Sequence, residues 1–146
     1  MNNSNTYEKA IADACAPFIE ELGDKIQWQW DEHFSCYLAE FSVDHENLVY
    51  LVAQKHFPHV WDKKSIKKAP PAFRHRAGFF NTLEKNQQLM SKDRNGEHDI
   101  MLSWWPWGHG ATVSVRLFYA STKPYIEPSG VFATFSKWWN RSDKTS

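Results

Sequence analysis

Histidine is the side chain best suited to acid–base or metal chemistry near neutral pH, and this 146-residue chain contains seven of them. His56 and His59 form an HxxH motif, but Pro58 lies between them and ends a helix that would bring both rings to one face. No cysteine pair or well-spaced carboxylate completes a four-ligand set. The sequence therefore predicts no metal site.

Motifs for nucleophilic catalysis and phosphate binding are also missing, because the chain has no GxSxG, P-loop or GxGxxG segment. Cys15 and Cys36 lie in apolar stretches, where a free thiol behaves as a small hydrophobe. His75, between Arg74 and Arg76, would suit a ribonuclease-like cleavage if a second acid–base group stood within reach. The sequence favours a non-enzymatic protein without a cofactor. A histidine-dependent hydrolase or nuclease, or a small-ligand pocket, stays as an alternative.

The most distinctive segment is SWWPWGHG at residues 103–110. Neighbouring strand residues point to opposite faces, and a proline that cannot donate to the ladder belongs at an edge or a bulge. We therefore expect at least one of the three indoles to be partly exposed at a sheet end. Exposed tryptophan is typical of interfaces and of stacking platforms. The predicted partner-binding residues are Trp104, Trp105, Trp107 and His109.

Charge is unevenly divided, although 17 basic and 17 acidic residues give a formal net charge of zero. Residues 1–62 hold eleven acidic and three basic side chains, and residues 63–146 hold the opposite excess of eight. The two halves either neutralise each other on folding or leave a surface for phosphates or an acidic protein. The predicted basic patch consists of Lys63, Lys64, Lys67, Lys68, Arg74 and Arg76.

The elements that must position these residues follow from hydrophobic periodicity. We expect a helix over 5–22 with a kink or a break at Pro17, and a hairpin whose second strand covers 34–41. A helix from Asp44 to Pro58 should bury Leu48, Leu51, Val52 and their neighbours. Residues 59–86 are ambiguous, with one helical turn at 62–68 and a helix from Pro71. Strands at 87–92, 97–105 and 111–119 form a meander around an Asn-Gly turn, and a last helix starts at Ser129. In the last of these strands, apolar residues alternate with Thr112, Ser114 and Arg116, which we expect on a face in contact with water.

These elements predict an α+β fold in which an N-terminal hairpin and a C-terminal three-stranded meander form an antiparallel sheet, packed by amphipathic helices on one face or two. The length suits a single domain over 1–146, with flexible ends at 1–4 and 141–146. The absence of a signal-peptide pattern and of a long apolar run favours a soluble, cytoplasmic protein without membrane contact. Strand order and oligomeric state stay open.

The sequence thus favours a small binding protein of inhibitor, immunity or adaptor type, which acts through protein–protein contacts at its tryptophan-rich sheet end and basic connector. The alternative is single-stranded nucleic-acid binding, with the segment 63–76 on phosphates and the tryptophans stacked on bases. The identity of the partner is open.

Overall fold

A computed structural model describes residues 3–94 and 100–121 and confirms the α+β fold. In this part of the chain an antiparallel six-stranded sheet has the order β1-β2-β6-β5-β4-β3. Its strands are β1 (Trp28–Asp31), β2 (Cys36–Ser42), β3 (His59–Asp62), β4 (Gln88–Ser91), β5 (Ile100–Pro106) and β6 (Thr112–Tyr119). The helices are α1 (Asn3–Ala14), α2 (Ala16–Leu22), α3 (Glu46–His56) and α4 (Pro71–Ala77).

The sheet contains the predicted hairpin, β1–β2, and the predicted meander, β4–β5–β6. Pairing of β2 with β6 joins the two units into one sheet. The edge strand β3, which pairs with β4, lies in the ambiguous segment and was not expected. One continuous row of register partners crosses the sheet, and its members are Asp62, Gln88, Trp104, Val115, Ala39 and Trp28.

Helices α1, α2 and α3 cover the first face of the sheet, where the larger core lies. Of the expected kink or break at Pro17, the structure has a break, which lies at Cys15. Helix α1 ends at Ala14 and α2 begins at Ala16, with the proline in its first turn, where a missing amide costs nothing. The expected burial of Val52 is confirmed, but that of Leu48 and Leu51 is wrong. Helix α3 packs through Val49, Val52 and Ala53, and the two leucines face outward.

The second face is covered by α4 and by two short 3-10 helices, Ser65–Lys68 and Gly78–Asn81. Their apolar residues form a second core with the sheet, which includes Trp61, Phe73, Phe80 and Phe118. Residues 59–86 are therefore a strand, two 3-10 helices and a short helix that begins at Pro71 as predicted. Helices thus lie on both faces of the sheet.

The predicted last helix from Ser129, the Asn-Gly turn at 95–96 and the expected flexible end at 141–146 lie outside the described residues. In the ranges that the structure describes, no helix combines the length and the apolar character that a membrane crossing requires.

Candidate functional site

The tryptophan-rich segment ends β5, and strand alternation separates its first two indoles. Trp104 lies on the first face with only 3% of its surface exposed, and its ring contacts Tyr50 at 4.9 Å between centroids. Trp105 lies on the second face and is half-buried. Trp107 follows the strand and is 43% exposed. Of the three indoles, only that of Trp107 presents a large free surface.

Trp107 is exposed but held in place. Its indole Nε1 donates a 2.7 Å hydrogen bond to Ser114 Oγ, and that hydroxyl donates to Glu40 Oε2 at 3.3 Å. Its backbone amide donates to the Thr112 carbonyl at 2.8 Å. The His109 ring lies 5.4 Å from the Trp107 ring and accepts a 3.0 Å bond from the Ala111 amide through Nδ1. The turn between β5 and β6 therefore fixes the positions of both predicted site residues.

Three carboxylates belong to segments that adjoin this turn. Glu40, on β2, is exposed beside Ser114. Asp44 follows Val43, whose amide donates to the Ala111 carbonyl at 3.0 Å, so Asp44 is joined to the turn through the backbone. Glu46 begins α3 and lines the neighbouring groove. We call the turn 107–111 together with Glu40, Asp44 and Glu46 the Trp107 end of the sheet.

A groove of about 720 Å³ opens between α3 and this end of the sheet. Exposed Leu51 and the ring of Pro106 form its apolar rim. Tyr50 Oη donates a 2.8 Å hydrogen bond to Gln88 Oε1 inside the groove, which leaves the amide nitrogen of Gln88 available. The other lining residues are Glu46, Asn47, Asn86 and Trp104. The size lies within the usual range of about 300–1,000 Å³ for ligand sites.

On the second face, Arg116 lies beneath the aromatic residues next to Trp107. Its guanidinium is 4.3 Å from the Trp105 ring centroid and 5.2 Å from that of Phe34. Asp31 approaches its Nε only to 3.9 Å, and within the described part of the chain neither Nε nor Nη1 has a hydrogen-bond partner. With Ser114, Arg116 was expected on a wet strand face, but both are covered because the aromatic rings lie across them.

The six residues of the predicted basic patch divide into two groups. Lys63, Lys64, Lys67 and Lys68 are exposed, and among the described residues no carboxylate lies within 4 Å of their amines. Arg74 and Arg76 are half-buried on α4. Hydrogen bonds from Ser65, first its amide and then its hydroxyl, lower the pKa of Asp62, so this carboxylate tethers the lysine segment to β3. The four lysines, not the arginines, form the free basic surface.

Three further side chains that could do chemistry, those of His56, Cys15 and Cys36, are occupied or shielded. His56 Nε2 lies 2.9 Å from Glu21 Oε1, away from His59 on the edge strand. Burial raises the pKa of the Cys15 thiol to about 11 and that of Cys36 to about 12, so neither is a thiolate near neutral pH. Across residues 3–94 and 100–121, no three His, Cys, Asp or Glu side chains gather in a way that could hold a metal ion.

No protein-family model matches the chain, and no curated protein or solved structure is significantly similar to it. Function is therefore inferred below from the geometry of the Trp107 end. Sequence reasoning selected Trp107 and His109, but it missed Glu40, Asp44 and the groove beside α3. The acidic excess before residue 63 was the available signal for the two carboxylates. Nothing local signalled the groove, because its walls come from distant segments.

Proposed function

We propose that the protein is a non-catalytic binding module whose protein partner docks on the Trp107 end of the sheet. The observation that carries this proposal is an indole that is 43% exposed yet fixed by its own hydrogen bond. Tryptophan at the centre of an interface contributes more than most residues, since it offers a large apolar area with few rotatable bonds. A side chain that is already ordered loses little further entropy on binding.

The partner is a basic protein segment. Glu40, Asp44 and Glu46 give the rim of the site a negative potential, which attracts lysine and arginine side chains and repels phosphates. The same potential argues against nucleic-acid stacking on Trp107, since a nucleotide would bring its phosphate toward these carboxylates. The sequence-based alternative in which the tryptophans stack on bases is therefore disfavoured at this end.

The groove beside α3 supplies the second part of the docking surface. Its carboxamides, from Asn47, Asn86 and Gln88, can both donate to and accept from a peptide backbone. Leu51, which is 66% exposed, and Pro106 offer apolar contacts at the rim. An extended segment with an apolar anchor and flanking basic residues matches this combination of groups.

The test is a selection of binders from a display library of random peptides, followed by titration of the selected sequences. We expect basic sequences with an apolar anchor, bound at least about ten-fold more weakly by the Trp107→Ala variant. Affinity for Glu40→Gln should fall several-fold, and less so in high salt, where the charge attraction is screened. Tyr7→Ala is the matched control. Tyr7 is exposed to a similar extent but contacts Tyr119, at the opposite end of the sheet.

Two results would contradict the proposal. One is a set of selected peptides that bind wild type and Trp107→Ala with equal affinity. The other is binding of single-stranded DNA or RNA by the wild-type protein that the Trp107→Ala variant no longer shows. That result would restore the base-stacking alternative.

A further inference from the structure

The free lysines and the acidic rim lie at the same end of the sheet but toward opposite edges. Lys63 and Lys64 directly follow Asp62, the last residue of the edge strand β3. Asp62 belongs to the same register row as Ala39, which precedes Glu40 on β2. Four strand spacings separate these two positions, which is about 19 Å at 4.8 Å per strand. Each copy of the chain thus presents a positive and a negative surface side by side.

A two-fold axis perpendicular to the sheet, passing beside the end of β5, would place two copies end to end. The β3 edge of one copy would then lie opposite the β2 side of the other. The Lys63–Lys64 surface of one copy would then meet the Glu40–Asp44 surface of the other, and the reverse contact would form at the same time. Trp107, between the two surfaces, would lie near the axis. Contacts of this kind are isologous and close at two subunits.

We propose that two copies of this chain associate through their Trp107 ends, with the lysines of each copy against the carboxylates of the other. This inference rests on the proposed function, because it takes the same docking surface and names a second copy as the occupant. Charge complementarity supports that occupant. The rim calls for a basic surface, and the chain carries four exposed lysines that no described carboxylate pairs. A formal net charge of zero also means that no overall repulsion opposes the pairing.

Sedimentation equilibrium of the full chain measures the association directly. We expect a dimer in about 0.02 M salt whose dissociation constant rises at least ten-fold in about 0.5 M salt, where charges are screened within a few ångströms. Two charge-reversal variants, Lys63→Glu with Lys64→Glu and Glu40→Lys with Asp44→Lys, should each be monomeric, because both reciprocal contacts become repulsive. An equimolar mixture should form the heterodimer, since each contact then joins opposite charges again.

The matched control is Lys92→Glu with Arg94→Glu. It changes the charge by the same amount, but Lys92 follows the end of β4 that lies opposite Trp107, so dimerisation should persist. A wild-type protein that stays monomeric at low salt overturns the inference, and so does a mixture that shows no heterodimer although both variants give the far-ultraviolet spectrum of wild type. If basic peptides still bind in a Trp107-dependent manner, only the dimer is wrong. If that binding is also absent, the proposed function fails with it.

Discussion

Trp104 and Trp107 belong to the same segment, but their replacement by alanine should have very different effects on stability. Trp104 is buried against Tyr50 and Phe41, with ring centroids 4.9 and 5.9 Å away. A buried tryptophan removes about 150–250 Å² from water, which at about 25 cal/mol per Å² corresponds to roughly 4–6 kcal/mol. Trp104→Ala should therefore lower the free energy of unfolding by about 3–5 kcal/mol, in the range measured for large core truncations.

Trp107→Ala should cost much less. The variant loses one hydrogen bond, worth about 1 kcal/mol, and the contacts of a ring that is already 43% exposed. Ser114 keeps its bond to Glu40, so no buried hydroxyl is left without a partner. We expect the free energy of unfolding to fall by about 1–2 kcal/mol. For a chain of this size, each kcal/mol lost lowers the melting temperature by about 2–4 °C.

Urea unfolding followed by far-ultraviolet circular dichroism gives both values without relying on tryptophan fluorescence. The difference between the two variants should be at least about 2 kcal/mol, with unchanged denaturant slopes. Equal losses would refute the reasoning, because Trp107 would then be a structural residue. A loss of partner binding by Trp107→Ala would in that case report damage to the fold and would no longer locate the docking surface.

Three further predictions concern other parts of the molecule. Because burial raises the pKa of Cys15 to about 11 and that of Cys36 to about 12, iodoacetamide should modify them only as fast as the chain unfolds. Urea midpoints should also fall above about pH 9, where the unfolded thiols ionise before the folded ones. Hydrogen bonds from His56 and then Lys55 lower the pKa of Glu21, so its stabilising effect is lost as the pH falls through that pKa, and urea midpoints of Glu21→Gln should decline less between about pH 5 and 3. Gly110→Ala, at φ 81°, should destabilise by about 1 kcal/mol in the same unfolding assay, from backbone strain alone, because a Cβ there meets no atom of the described residues within 4 Å.

Local sequence patterns predicted those helices and strands in which the spacing of apolar residues matches the face that is buried. Strand β6 shows this well, because Val113, Val115 and Leu117 alternate along it and all face the first core. The same pattern led to a wrong expectation for its other side. Ser114 and Arg116 are polar and alternate correctly, yet Trp105 and Trp107 lie across them and exclude water. Alternation predicts which face a residue occupies, whereas the cover of that face depends on residues from other strands.

Two features could not be predicted because they depend on contacts between distant segments. Strand β3 has only four residues, too few to show a period, and it exists through its pairing with β4. The outward position of Leu48 and Leu51 reflects the rotation of α3 about its axis, which packing of Val49, Val52 and Ala53 on the sheet decides. Hydrophobic residues cover most of the circumference of this helix, so the sequence alone does not select the buried side.

The candidate site follows the same division between local and distant information. Proline after two tryptophans correctly predicted an indole at a strand end, since that inference needs only the chemistry of one strand. The acidic rim needs β2 beside β6 and the helix α3 above the turn, so it required the fold. The same topology brings Lys63 and Glu40 to one end of the sheet although 23 positions separate them in sequence.

The arrangement also explains why the acidic rim and the lysines at 63–68 do not neutralise each other on folding. Among the described residues the ion pairs within 4 Å are few, and none of them joins an early carboxylate to the lysines at 63–68. At about 19 Å, well beyond a Debye length of about 8 Å at physiological salt, the two surfaces of one copy hardly stabilise each other. Their opposite charges therefore remain available to a second molecule. In the proposed dimer, the lysines of one copy contact the carboxylates of the other and Trp107 is covered. The attraction between these charges, which is weak within one copy, therefore acts at the interface.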